Sequence, residues 1–186
     1  MDQETVLYEV KIPRTSEKTP EAALQFFAGL SILPKKKFLS FQKPPCLTFE
    51  IASVQQTIHF LLASPKEFAS HLESQLTAQY PESVLVKLPK DYLPAYLAAH
   101  PESKVGQIVL GAPFYLPLRS YKDFKEVDPL SGILGTMSKA GPEDFLLVQI
   151  VIAQAGSWQS YGRSLIEKGI VVDETHSKAH PFAKQI

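Results

Sequence analysis

Apolar and polar residues alternate along four short stretches, and this pattern constrains the fold more than any other feature of the chain. The alternation is typical of strands that bury one face and leave the other polar. We therefore predict four antiparallel strands whose apolar faces are covered by helices. The stretches are residues 6–12, 47–52, 57–62 and 84–88, and residues 53–56 join the second and third as a hairpin.

Pairs of a capping residue and proline mark where helices begin. Thr19-Pro20, Ser64-Pro65 and Asp128-Pro129 each offer a side-chain oxygen beside a proline, which has no backbone N–H to satisfy. A weaker start lies at Ser157. In the second helix, an apolar residue recurs at every fourth position and forms a core-facing stripe. The residues of this stripe are Phe68, Leu72 and Leu76.

Together these signals predict an α+β protein built as a two-layer sandwich. Residues 1–88 read β-α-β-β-α-β, the order of a ferredoxin-like lobe. Residues 89–103 are interpreted as a connector, and residues 104–169 as a degenerate second lobe of order β-β-α-β-α packed on the first. Its strands are expected at 105–110, 114–118 and 145–153, and its helices at 129–139 and 157–168. Residues 170–186 are interpreted as a polar tail, disordered or a linker.

The charge balance argues against a generic polyanion-binding protein. The chain has 19 Lys+Arg and 19 Asp+Glu, whereas dedicated nucleic-acid domains usually carry a basic excess. The longest apolar run, residues 145–153, is far shorter than the roughly 20 residues that span a bilayer. We expect a soluble, cytoplasmic bacterial protein.

Motifs for catalysis or cofactor binding are missing from the sequence. It contains neither of the glycine-rich phosphate-binding patterns, no nucleophile elbow and no convincing acid–base pair. The single cysteine, Cys46, excludes an intramolecular disulfide and is expected to be a buried, inert thiol. His176 and His180 have a spacing that could hold a metal on a helix, but a disordered tail is preferred. We expect no enzyme activity, no cofactor and no metal.

One basic cluster could contact single-stranded nucleic acid. Cations interleaved with aromatic rings can grip the backbone and stack on bases. The preferred interpretation is a solvated connection between a helix and a strand, in which the phenylalanines anchor the loop. The residues are Lys35, Lys36, Lys37, Phe38, Phe41 and Lys43.

The sheet face opposite the predicted helices is a candidate interaction surface. It mixes apolar and charged side chains, which suits a contact with a partner or with the second half of this same chain. The residues assigned to it are Leu7, Glu9, Lys11, Glu50, His59, Leu61, Leu85 and Lys87.

Three segments in a fixed order resemble a known family. They are LYEVKIP (7–13) with EKTPEAA (17–23), LTAQYP (76–81), and FYLPL (114–118) with YKDF (121–124) and VDPL (127–130). The set is similar to the uncharacterised domain upstream of the motor in bacterial conjugation-type ATPases, the coupling-protein-like translocases of type IV secretion. The resemblance covers residues 5–169.

The resemblance implies a non-catalytic domain between a membrane helix and an ATPase. This sequence departs from that pattern, because it has neither a hydrophobic anchor nor Walker motifs. No catalytic residue of the family can therefore be carried over. We expect an accessory or docking domain that binds the motor or a second copy of itself, at the inner face of the membrane if it belongs to a longer parent protein. The alternative is a single-stranded nucleic-acid module that uses residues 35–43.

Overall fold

The computed structural model describes residues 4–30, 45–89, 92–111, 120–123, 128, 130–154 and 158–167. The protein is a mixed α+β structure with one five-stranded antiparallel sheet. Its strands are β1 (Thr5–Lys11), β2 (Cys46–Val54), β3 (Thr57–Pro65), β4 (Val84–Lys87) and β5 (Leu146–Ala153). Its helices are α1 (Pro20–Gly29), α2 (Lys66–Gln79), α3 (Leu93–Ala99), α4 (Ser131–Met137) and α5 (Trp158–Glu167), and a 3₁₀ turn covers Tyr121–Asp123.

The strand order across the sheet is β4-β1-β3-β2-β5. Every neighbouring pair is antiparallel, and β5 pairs with β2 along its whole length. A strand from the second half of the chain therefore extends the sheet that the first half begins. The division into lobes at residues 89–103 stays a prediction.

One face of the sheet is sealed by α1 and α2. Leu47 of β2, Leu62 of β3 and Leu72 of α2 are among the most deeply buried side chains, and they share a single apolar cluster. The predicted core stripe of α2 is confirmed, because Phe68, Leu72 and Leu76 are all buried. The other members of the cluster are Phe26 and Leu30.

Tyr8 is a buried polar residue on the helix-covered face. It is 4% exposed and lies in a small cluster with Val6 and Ala69. Burial, together with a hydrogen bond to the nearby carboxylate of Glu73, raises the pKa of Tyr8 to about 12. The hydroxyl therefore stays protonated, as a buried phenol requires.

The hairpin between β2 and β3 closes through two residues, Gln55 and Gln56. Both have positive φ, 47° and 62°, which is the conformation of the tightest hairpin turns and is usually occupied by Asn or Gly. The side chain of Gln56 donates from Nε2 to the carbonyl oxygen of Ala140, 3.3 Å away. The predicted hairpin is confirmed, and its turn also contacts the second half of the chain.

One prediction about the second half is wrong. The strand expected at 105–110 is absent, because these residues belong to neither a helix nor a strand and stand largely exposed. Residues 89–103, predicted as a connector, contain α3, where Ala, Leu and Tyr follow Pro94 at the first turn. The predicted strand at 114–118 lies outside the described residues.

Helix starts agree with the capping signals only in part. α1 begins at Pro20 with Thr19 before it, as expected, although the Thr19 side chain makes no capping bond. α2 begins one residue later than expected, at Lys66, with no side-chain capping bond, and the Ser64 hydroxyl donates to the Pro65 carbonyl oxygen. Asp128 accepts from the backbone N–H of Leu130 near the start of α4.

Among the residues that the structure describes, no helix combines the length and apolar character needed to cross a membrane.

The buried layer yields a stability prediction. Leu72→Ala should lower the free energy of unfolding by about 2–5 kcal/mol, because the side chain is 1% exposed and its removal leaves a cavity between α2 and the sheet. Leu24→Ala on α1, at a position 50% exposed, is the control and should change it by less than about 0.5 kcal/mol. Urea denaturation measures both. Equal effects would contradict the assignment of this layer as the core.

Candidate functional site

A carboxylate, an imidazole and an ammonium group lie together on the sheet face away from α1 and α2. His59 Nδ1 and Glu9 Oε1 are 2.7 Å apart, and Lys11 Nζ lies 3.1 Å from Glu9 Oε2. The hydrogen bond from His59, with a further contribution from Lys11, holds the pKa of Glu9 below its ordinary value of 4.5, against the opposing effect of burial. The group is therefore a charge cluster anchored on β1.

Glu50 lies at the centre of this face and is 7% exposed. Its Oε2 accepts from the Tyr92 hydroxyl at 2.7 Å, and its Oε1 accepts from Gln149 Nε2 at 2.8 Å. Gln149 stands directly opposite Glu50 in the pairing of β2 with β5, so the sheet register sets this contact. Both carboxylate oxygens accept from donors far along the chain from Glu50, at residues 92 and 149.

Aromatic rings cover the area around Glu50. Phe145 packs against Tyr92 at 5.8 Å between ring centroids and against Tyr96 at 4.2 Å. Tyr96 stacks in turn on His100 at 4.1 Å. The start of α3 and the residue before β5 therefore form a lid of rings over the second sheet face.

This cover corrects part of the predicted interaction surface. Leu7 and Leu61 are 3% and 6% exposed and form a second apolar cluster, against which Leu88, Tyr92 and Leu147 pack. Together with Glu50 they are buried by this chain itself and are not open to a partner. The members of the predicted surface that keep some exposure on this face are Glu9, Lys11 and His59.

The other two predicted members lie on the opposite face. Leu85 is paired with Val10 and packs into the cluster under α1 and α2, and Lys87 is paired with Tyr8. The residues of β4 that were predicted to face away from the helices therefore lie on the helix-covered face. Because Val84, Leu85 and Val86 are all apolar, alternation alone does not fix which side of this strand faces the helices.

Several predicted sites receive no structural description. The basic cluster (Lys35, Lys36, Lys37, Phe38, Phe41 and Lys43) and the pair His176 and His180 lie outside the described residues, so they stay predictions. Within the part that is described, no three His, Cys, Asp or Glu side chains are grouped to hold a metal. Cys46, expected to be buried, is exposed at the start of β2.

Residues 105–110 form an exposed apolar segment, which the sequence pattern does not predict as a surface feature. Four of its side chains are largely in solvent: Val105 at 83%, Ile108 at 96%, Val109 at 73% and Leu110 at 55% exposed. The β-branched composition signalled a strand, but only the structure shows that the described residues provide no pairing for it.

A second exposed apolar feature is the edge strand β5. Within the described sheet it is the outermost strand beside β2, and Ile150 and Val151 are 59% and 39% exposed. Its eight residues carry no charged side chain. The opposite edge, β4, is only four residues long and ends in the exposed Lys87, features by which proteins protect an edge.

Comparison with known families assigns the chain to one of them. Residues 1–171 match the family described as Domain of unknown function (DUF8128), so the chain belongs to that family. No curated protein and no solved structure matches the chain.

The charge cluster makes stability depend on pH. Because the pKa of Glu9 is lowered in the fold, its contribution is present above about pH 4.5 and is lost as pH falls through the folded-state value. Glu9→Gln should therefore lower the free energy of unfolding by up to about 1 kcal/mol at pH 7 and by less at pH 3. The exposed Glu4, which pairs with Lys66, provides the control Glu4→Gln, with no measurable change. A Glu9→Gln difference that is constant with pH would contradict this role.

The buried carboxylate gives a sharper prediction. Tyr92→Phe removes a donor from Glu50 Oε2 and should destabilise the fold by about 1–3 kcal/mol, because a buried charged acceptor is left unsatisfied. Tyr96→Phe, one turn along α3, keeps the packing on Phe145 and is expected to cost less. Chemical denaturation of both variants gives the comparison. If Tyr96→Phe destabilises the fold as much as Tyr92→Phe does, loss of the hydrogen bond to Glu50 does not explain the destabilisation.

Proposed function

We propose that this protein is a non-catalytic docking domain that acts through protein–protein contacts beside a membrane-linked, DNA-translocating ATPase of the type IV secretion class. The observation that carries docking is the exposed apolar segment, residues 105–110. The ordered resemblance of residues 5–169 to the domain upstream of such motors supports the choice of partner. Its place would be the bacterial cytoplasm, at the inner face of the membrane.

The exposure of the segment supports binding more strongly than apolar composition alone. Scattered apolar side chains on a surface are normal, but contiguous ones usually mark an interaction site. Val105, Ile108, Val109 and Leu110 fall within six successive residues, and each has more than half of its surface in solvent. A partner that covers them removes this apolar area from water, which favours association.

The scaffold that presents the segment is proposed to be ferredoxin-like over residues 1–88. Support comes from the chain order β1-α1-β2-β3-α2-β4 and from the antiparallel order β4-β1-β3-β2, with α1 and α2 covering one face. With α1 and α2 over one face of the sheet and the aromatic lid over part of the other, residues 105–110 and the β5 edge are two of the apolar surfaces that the described residues leave exposed.

The proposal is tested by titrating the motor protein of the translocase against this chain by calorimetry or light scattering. The double variant Ile108→Asp with Val109→Asp should weaken binding at least about tenfold, because it places charge in the apolar contact. Ile12→Asp, at a loop position 48% exposed, is the matched control and should bind normally. Failure of the wild-type chain to bind the motor at about 100 μM would overturn the proposal.

A further inference from the structure

We propose that residues 105–110 of one copy of this chain add as a sixth strand to the open edge of β5 in a second copy. The inference rests on the proposed docking function and specifies one of its contacts. It is carried by two exposed features of the same molecule: an apolar segment with no pairing and an apolar edge with no neighbour among the described residues. Strand addition satisfies both at once.

The segment has the composition of a donor strand. It is Val105-Gly106-Gln107-Ile108-Val109-Leu110, rich in the β-branched residues that favour strands. Its length falls within the usual range for strands, and it is shorter than the eight residues of β5. It therefore fits along the acceptor edge without overhanging it.

The acceptor edge lacks the devices that prevent strand addition. A long apolar edge strand presents a row of unpaired N–H and C=O groups, and proteins usually protect such edges with charges or by keeping them short. β5 has no charged residue, whereas β4 at the other edge is short and ends in Lys87. This difference indicates that β5, rather than β4, is the edge to which another strand adds.

The side-chain pattern of the segment matches that of β5. Alternation along β5 places Leu147, Gln149 and Val151 on the face of the aromatic lid. The segment repeats this pattern with Val105, Gln107 and Val109. When Gln107 stands beside Gln149, the two polar side chains are neighbours on that face. The register is then fixed by the side chains, because a shift by one residue would place every side chain on the wrong face.

A second copy is the occupant because the segment does not lie along its own β5. It follows α3, whose Tyr96 packs on Phe145 just before β5 begins, and yet Ile108 remains 96% exposed. Each copy carries both a donor segment and an acceptor edge. The contact is therefore head-to-tail, and it repeats from copy to copy or closes on itself.

The size of the contact is compatible with stable association. In a reciprocal dimer, each copy adds its segment to the β5 edge of the other. The two contacts together would bury on the order of 1,500 Å², which is the standard size of specific interfaces. A single contact buries about half of this and is expected to be weaker, so association should depend on concentration.

Sedimentation velocity of the full chain between about 1 μM and about 200 μM tests the proposal. The wild type should rise above the monomer mass of 20.7 kDa as concentration increases. Ile108→Asp, in the donor, and Ile150→Asp, in the acceptor, should each remain monomeric. Val84→Asp, at a position 56% exposed on the other edge strand, is the matched control and should associate as the wild type does.

Mixing the two variants gives the decisive result. The Ile108→Asp chain keeps an intact acceptor edge, and the Ile150→Asp chain keeps an intact donor segment. An equimolar mixture should therefore form heterodimers and nothing larger, although neither variant associates alone. Val151→Lys provides a second acceptor variant if Ile150→Asp lowers the melting temperature.

Four outcomes would overturn the strand addition. They are a wild type that stays monomeric throughout, association that survives Ile108→Asp, a mixture that remains monomeric, and protection of the amides of residues 105–110 from hydrogen exchange in the isolated monomer. The second would indicate another contact, such as pairing of two β5 edges, and the fourth would indicate pairing within one chain. If wild-type chains bind the motor but not each other, strand addition fails while the docking function stands.

Discussion

The pairing of β2 with its two neighbours is the interaction on which the rest of this structure depends. β2 lies between β3, which follows it directly, and β5, which arrives nearly a hundred residues later. Leu47 on one face of β2 is fully buried under the helices, and Glu50 on the other face receives two hydrogen bonds. The strand thus connects the core of the first half to the contacts of the second.

Glu50 shows how that connection is made specific. A buried carboxylate is costly unless donors satisfy it, and here they come from Tyr92 and Gln149 rather than from a cation. A shift of β5 by one residue would remove Gln149 from its position opposite Glu50. The charge therefore disfavours alternative registers between two long apolar strands, which hydrophobic contacts alone would distinguish poorly.

Much of the first half could be predicted because its residues contain local signals. Alternation located all four strands, and the spacing of Phe68, Leu72 and Leu76 identified the buried side of α2. β4 was assigned the wrong faces because Val84, Leu85 and Val86 are apolar in succession, so that only pairing with β1 decides their direction. Cys46 is predicted to be buried from its residue type alone. It is exposed because it lies at the end of an outer strand pair.

The candidate site was harder to anticipate, because it depends on contacts between distant segments. The sequence identified Glu9, Glu50 and His59 as sharing a face, but not that Tyr92 and Gln149 would close over Glu50. Residues 105–110 have the composition of a strand, and composition cannot show whether a neighbour is present. Long-range pairing, rather than local preference, limits what can be derived from the residues.

The hairpin turn at Gln55 and Gln56 has a consequence for how the two halves unfold. Two glutamines in left-handed conformations are unfavourable for the isolated hairpin, and the Gln56 bond to Ala140 offsets part of this cost only while the second half is in place. Loss of the second half would therefore loosen the far end of β2 and β3 as well. The turn makes the melting of distant parts of the chain more cooperative than their separation in sequence suggests.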